Sequence, residues 1–221
     1  GGADAPALLF TASHGAGFDQ DDPRQAAHTG ALVTKEYPGP LSWRKPLKED
    51  FYFHAQDLDP NAHLWGMIAV FFACFGAGIP PLSDFYHLRD KLPGEVLNLA
   101  PRPFFSALPR QMLCHPNGGA LAVVGHVERN FAAAFRTPGV TGNQGRDLLA
   151  FQQMLSLLAR GYPVGAALED MNTRSASRSV ALTNALFPVL HQGLVAPPEL
   201  EREISNLWTS SQDARNYIIL G

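Results

Sequence analysis

Two residues that could do chemistry stand in similar surroundings, 60 positions apart. His14 follows an apolar run and precedes Gly15 in TASHGAG, and Cys74 follows a longer apolar run and precedes Phe75 and a glycine-rich stretch in FFACFGAG. A cysteine attacks as its thiolate, and a nearby imidazole can take the proton from the thiol. The pair therefore indicates nucleophilic catalysis, provided that the fold brings both residues to one place.

The segments that precede these residues are typical of strands in a parallel sheet. Residues 7–11 form a short apolar run bounded by Pro6 and a Ser-His-Gly turn, and residues 67–73 are continuously apolar, with β-branched and aromatic side chains. In open α/β sheets, ligands bind beyond the carboxyl ends of the strands. If the two strands are neighbours, about 5 Å apart, His14 and Cys74 project from the same edge of the sheet.

The remaining pattern alternates strands with helices, which predicts an α/β fold with a mostly parallel sheet and helices on both faces. Further strands are predicted at 120–127 and 216–220, and an antiparallel excursion at 30–34 and 50–55; helices are predicted at 103–114, 146–160, 164–190 and 197–207. We expect a single domain over residues 1–221. Because strand-like runs stand close to both ends, we also expect it to be a fragment of a longer chain.

Composition narrows the classes of function. Of the 221 residues, 46% are hydrophobic and 17% are charged, which is ordinary for a globular protein. The net charge is −3 and the charges are scattered, so nucleic acid is not an expected partner. No apolar run reaches about 18 residues, so no membrane partner is expected. With only two cysteines a disulfide framework is impossible, and the cytoplasm is the expected compartment.

Other reactive side chains fit no second chemistry. Most histidines have no metal-like spacing with cysteines or acids, and the GAG at 76–78 lacks the lysine and the length of a phosphate loop, so no metal and no cofactor are expected. Cys114 lies on an apolar helix face and is predicted to be buried. His126 ends a strand, where it either lines the site or packs in the core. Asp19, with its acidic neighbours, either faces His14 or a basic substrate, or lies in a solvated loop.

The two motifs together resemble those of the caspase-like clan of cysteine peptidases, and more closely its bacterial CHAT and gingipain-like branch than animal caspases. Ala73, Cys74, Phe75 and Gly76 keep the Ala-Cys-Xaa-Gly pattern, while Phe72 stands in place of the caspase glutamine. The caspase histidine lies roughly 50 residues before the cysteine. In this chain His14 lies 60 residues before Cys74. The runs GGALAVVGHVE and NYIILG are similar to later strands of the bacterial group.

The resemblance implies a caspase-like three-layer α/β/α sandwich. It makes His14 the catalytic histidine, Cys74 the nucleophile and Gly15 the glycine of the oxyanion hole. The residue types agree with that assignment, because a glycine N–H can approach an oxyanion closely, alongside the N–H of Cys74.

The same resemblance places the substrate pocket beside the loop at 125–130. This loop carries His126, Glu128 and Arg129, and successive side chains of an extended segment point to opposite sides. Several branches of the clan use acidic pocket walls for basic P1 residues. The resemblance therefore favours a pocket of His126, Glu128 and Asp19 that receives arginine or lysine.

These observations predict a cysteine endopeptidase that hydrolyses polypeptides with a His14–Cys74 dyad. One alternative is a catalytically silent caspase-like module that docks partners within a larger signalling protein. Another is a cysteine hydrolase of small amides. The presence of both His14 and Cys74 favours the peptidase, because a silent module needs neither residue.

Overall fold

The computed structural model describes residues 6–88, 97–131 and 148–221. Within these ranges the chain divides into two compact units. The first holds the described residues up to Ser83, together with Asn98–Asn130 and Tyr217–Gly221, and the second holds the rest. A single domain over residues 1–221 stays a prediction.

A four-stranded sheet forms the centre of the first unit. The strands of this unit are, in chain order, β1 (Leu8–Ala12), β2 (Leu32–Val33), β3 (Tyr52–Phe53), β4 (Ile68–Phe72), β5 (Gly78–Ile79), β6 (Phe104–Phe105), β7 (Ala122–His126) and β8 (Tyr217–Leu220). The sheet has the order β1-β4-β7-β8; its first three strands are parallel, and β8 is antiparallel to β7. The mixed α/β architecture with a mostly parallel sheet is confirmed.

The central strands form because their residues are apolar on both faces. In β4, Val70 and Phe71 are almost fully buried, as are Val123 and Val124 in β7. Burial of a large aliphatic or aromatic side chain contributes about 1.5–3 kcal/mol each, which is what holds such a strand inside a sheet. On one face these strands share a core cluster with helix α2 (Ala107–Leu113), which follows the short helix α1 (Gln25–His28) along the chain.

Two smaller strand pairs flank the sheet. Strands β2 and β3 are antiparallel, which confirms the predicted excursion, and β5 pairs with β6 in the same sense. The helix predicted at 103–114 is shorter than expected, because Phe104 and Phe105 are β6 and only Ala107–Leu113 is helical. Pro109 lies in the first turn of α2, where its missing N–H has no partner to lose.

The prediction that Cys114 is buried is wrong. Helix α2 ends at Leu113, and Cys114 caps its C-terminus with an exposed side chain. The apolar periodicity that includes Cys114 therefore runs past the point at which the helix stops.

The second unit is helical in its described part. It contains α3 (Leu149–Ala159), α4 (Val164–Ala167), α5 (Glu169–His191) and α6 (Pro198–Arg215). The helices expected at 146–160 and 197–207 are present, although positions 146 and 147 lie outside the described residues, and the helical stretch expected at 164–190 is divided at Leu168 into α4 and α5. Helix α6 is longer than predicted, because its last turns bury polar residues. Among the described helices, none is long and apolar enough to cross a membrane.

Asp213 is the most unusual of these buried polar residues. It is fully buried on α6, and its Oδ1 accepts a hydrogen bond from the Phe131 N–H at 2.8 Å. Burial raises the pKa of Asp213 to about 7, against the opposing effects of that hydrogen bond and of Arg174 and Arg178 on α5. The cost of removing a carboxylate from water therefore outweighs the attraction of the guanidinium groups.

We expect Asp213→Asn to change how stability depends on pH. With a folded pKa of about 7 and an ordinary value of 3.8, the folded state binds the proton more tightly, so this carboxyl costs stability as pH rises between those values. Asparagine has no such cost. The melting temperature of the variant, relative to the native protein, should rise from pH 5 to pH 8, by about 2–4 °C for each kcal/mol. The raised pKa of Asp213 would be contradicted if the difference in melting temperature between variant and native protein did not change with pH. It would also be contradicted if that difference changed with pH no more than the one for the exposed control Asp170→Asn.

Candidate active site

His14 and Cys74 follow adjacent strands. Strands β1 and β4 pair in parallel up to Ala12 and Phe72, and the Ser13 N–H then donates to the Phe72 carbonyl at 3.2 Å. The backbones stay together beyond the strands: a Cβ added to Gly15 would lie 1.8 Å from the carbonyl oxygen of Cys74. The predicted adjacency of the two strands is confirmed, and the predicted 3–7 Å between imidazole and thiol stays a prediction.

The backbone of His14 is fixed by β2, whereas its side chain is open to solvent. The His14 carbonyl accepts from the Val33 N–H at 2.8 Å, and the Ala16 N–H donates to the Ala31 carbonyl, also at 2.8 Å. The His14 residue is exposed, and Cys74 is partly buried. A fixed backbone with an exposed imidazole suits a group that exchanges protons with a substrate or with water.

The residue after Cys74 has a left-handed backbone. Phe75 has φ 56°, which is uncommon for a side chain of this size. Its N–H donates to the Glu128 carbonyl at 2.6 Å, its carbonyl accepts from the Ser106 hydroxyl, and its ring lies against Gly17. These contacts hold a sharp turn directly after Cys74.

The thiol of Cys74 lies against the peptide of Asn130. The Asn130 N–H donates to Sγ at 3.3 Å, and Sγ lies 3.6 Å from the Asn130 carbonyl oxygen. Thus the described hydrogen bonds of the thiol go to Asn130 and not to the His14 imidazole. Sequence reasoning missed Asn130, because a backbone contact leaves no signal in the residue type; only its place in the loop after β7 pointed to the site.

Gly15 offers an N–H group at this edge of the sheet. Its backbone forms an isolated bridge with Leu32, and within the described residues its N–H donates to no acceptor. A backbone N–H without a partner, beside a nucleophile, can donate to an oxyanion. The role of Gly15 in an oxyanion hole stays a prediction.

Glu128 was predicted to line the substrate pocket, but it lies inside the protein. It is fully buried with a left-handed backbone, φ 73°. Its Oε1 accepts from the Ser83 hydroxyl at 2.5 Å and lies 3.4 Å from Nε of Arg129. Arg129 also donates to Ser83 at 2.8 Å. A basic substrate side chain would have to displace Arg129 in order to reach this carboxylate.

His126 and Asp19, the other two pocket candidates, lie in different environments. His126 is fully buried at the end of β7; its Nδ1 lies 3.2 Å from the Glu128 carbonyl, and its ring packs edge-on against Tyr217. Asp19 is exposed, and among the described residues no hydrogen bond joins it to His14. Of the acidic group, Asp22 has a defined partner: its hydrogen bonds with Arg24 lower the pKa of its carboxyl to about 2.

The described part of this unit offers an apolar cavity rather than a metal site. No group of three or more histidine, cysteine or acidic side chains among the described residues could hold a metal ion. A cavity of about 310 Å³ is lined by Gly78, Ile79, Pro80, Pro103, Phe104, Phe105 and Val127. Cys74 and Phe104 both pack against the cluster of Phe75, Ile79 and Ala100, so the cavity and Cys74 share apolar neighbours.

Comparison with known proteins gives no relative from which a role for this site could be inferred. No protein-family model matches the chain, and neither a curated protein nor a solved structure matches it. The resemblance to caspase-like peptidases therefore stays a prediction from the sequence.

We expect Gly15→Ala to disrupt this edge of the sheet. The new Cβ would overlap the backbone carbonyl of Cys74, which cannot move as a flexible side chain can. The free energy of unfolding should fall by on the order of 1–3 kcal/mol, and Cys74 should change its rate of alkylation. Gly165→Ala is the control, because a Cβ there meets nothing within 4 Å. Equal, small effects of both changes in denaturant titrations would refute the tight contact.

Proposed function

We propose that this chain is a cysteine endopeptidase with a caspase-like three-layer sandwich, His14 as general base and Cys74 as nucleophile. The observation that supports it best is the backbone contact between Gly15 and Cys74 beyond two adjacent parallel strands. This contact puts an exposed imidazole, a partly buried thiol and an N–H without a described acceptor at one edge of the sheet.

The reaction would proceed through a thioester. His14 takes the proton of the Cys74 thiol, and the thiolate attacks the carbonyl carbon of the peptide bond. The resulting oxyanion accepts a hydrogen bond from the Gly15 N–H. His14 then donates its proton to the leaving amine, which departs as the C–N bond breaks. In the second half, His14 takes a proton from water, whose oxygen attacks the thioester, and Cys74 leaves with that proton restored.

The expected outcome of removing either residue is a large loss of activity. His14→Ala and Cys74→Ala should each lower kcat/KM for a cleaved peptide by about three or more orders of magnitude, since the two groups act as a unit. A mixture of unstructured peptides, analysed by mass spectrometry, provides the substrate. Cys114→Ala is the matched control, because that exposed thiol lies at a helix end and should leave cleavage unchanged.

Cleavage that survives in Cys74→Ala would contradict the proposal. A native protein that cleaves no polypeptide, yet binds partners equally well with and without His14 and Cys74, would support the silent docking module instead. Hydrolysis restricted to small amides would support the third candidate.

For the substrate, the cavity that shares apolar neighbours with Cys74 favours an apolar side chain over a basic one. Its walls are glycine, proline and large apolar residues, and Phe105 is 54% exposed there. An aromatic side chain left open to water near a nucleophile gains from covering by an apolar group. Glu128 is not positioned to bind a substrate arginine, because its carboxylate already contacts Ser83 and Arg129.

We therefore expect peptides that carry leucine near the scissile bond to be cleaved faster than matched peptides with arginine. Glu128→Gln should lower kcat/KM for both peptides by similar factors, because it weakens the loop and not a pocket wall. Measuring kcat/KM of the leucine and arginine peptides with the native protein and with Glu128→Gln distinguishes an apolar pocket from an acidic one. If the native enzyme prefers arginine and Glu128→Gln affects only that peptide, then Glu128 is the pocket wall predicted from the sequence.

A further inference from the structure

The peptide of Asn130 lies against the nucleophile and is held there by a residue of the last strand. We propose that Asn130 and Tyr217 are positioning residues that set the reactivity of Cys74, by aiming the Asn130 N–H at its sulfur. The inference deepens the proposed function, since it presumes that Cys74 is the nucleophile. It concerns a property of the thiol that can be measured without any substrate.

The contact suits both protonation states of the thiol. The Asn130 carbonyl oxygen, 3.6 Å from Sγ, can accept from the neutral S–H group. The Asn130 N–H, 3.3 Å from Sγ, can donate to the thiolate that remains once the proton has left. A hydrogen bond to the charged form stabilises that form, so the N–H raises the thiolate fraction at a given pH.

A single described hydrogen bond fixes the Asn130 side chain. Its Nδ2 donates to the Tyr217 hydroxyl at 2.6 Å, and its Oδ1 has no partner within the described residues. Tyr217 itself is well held: it is buried in β8, it pairs with His126 across the β7–β8 ladder, and its ring lies 5.0 Å from the His126 ring. This hydrogen bond therefore connects the Asn130 side chain to a residue that is held within the sheet.

The loop that carries Asn130 is also fixed two residues earlier. The Glu128 carbonyl accepts from the N–H of Phe75, the residue next to Cys74. Thus the loop contacts the nucleophile's neighbour through Glu128 and the nucleophile itself through Asn130. Without the hydrogen bond between Asn130 and Tyr217, the contact of Glu128 with Phe75 remains, while the contact of Asn130 with the Cys74 thiol loses its support.

The experiment compares native protein with Tyr217→Phe, Asn130→Ala and the double variant. Iodoacetamide alkylation is followed from pH 5 to pH 10, and peptide mapping gives separate rates for Cys74 and Cys114. Each single change should slow alkylation of Cys74 at pH 7 by roughly three- to tenfold, as expected for one hydrogen bond, and should move its half-maximal rate to higher pH. The double variant should be no slower than the single ones, because both changes remove the same bond.

Internal controls separate positioning from general damage. Tyr217→Phe keeps the ring against His126, so the variant should fold, and the exposed Cys114 should react at its native rate in every protein. Asn61→Ala and Tyr37→Phe are matched changes elsewhere in the same unit and should leave Cys74 unaffected.

Three results would overturn the inference: an unchanged pH profile of Cys74 in Tyr217→Phe, additive effects in the double variant, or equal changes at Cys74 and Cys114. These outcomes are independent of the peptidase proposal. If the protein cleaves peptides but Tyr217→Phe has no effect on Cys74, the proposed function stands and the positioning role is refuted. A protein that cleaves nothing but shows the shifted profile keeps the positioning contact and loses the function.

Discussion

The close approach of Gly15 to the backbone of Cys74 is the constraint on which the candidate site depends. No side chain fits between the two, since a Cβ on Gly15 would meet the Cys74 carbonyl at 1.8 Å. The parallel pairing of β1 and β4 brings the chains to this point, and β2 then fixes the His14 carbonyl from the other side. The backbone of His14 is therefore held by β2 and by its neighbours along β1, while the residue itself is exposed.

Two left-handed residues complete the arrangement at the ends of β4 and β7. Phe75 and Glu128 both have positive φ, and the N–H of the first donates to the carbonyl of the second. Each such conformation costs on the order of 1–3 kcal/mol and persists only where the surroundings impose it. Here a hydroxyl from Ser106 and the buried contacts of Glu128 with Ser83 impose it. Both residues lie close to Cys74, since Phe75 follows it along the chain and the loop of Glu128 continues to Asn130, whose N–H contacts the thiol.

The sequence predicted the strands well because apolar runs are a direct consequence of burial on both faces. The runs at 67–73 and 120–127 contain β4 and β7, which are shorter by one or two residues at each end. Prediction failed where tertiary contacts override periodicity. Pairing with β5 draws Phe104 and Phe105 out of the expected helix, and burial of Ser210 to Asp213 extends α6 through a polar stretch. The resemblance to peptidases with acidic pocket walls placed Glu128 in the substrate pocket; nothing in the sequence indicated that Ser83 and Arg129 would contact its buried carboxylate.

Within the candidate site, the residue types indicated His14 and Cys74 as reactive side chains, but they indicated nothing about the surroundings of either residue. The residue types of His14 and Cys74 indicate them as candidates, because few side chains can exchange a proton or attack a carbonyl carbon. Asn130 contacts the thiol through its peptide, a group that every residue has, so its identity carries no information about that contact. Its anchor, Tyr217, lies 87 positions further along the chain. The contacts of the Cys74 thiol with Asn130, and of Asn130 with Tyr217, therefore join parts of the sequence that come together only when β8 pairs with β7.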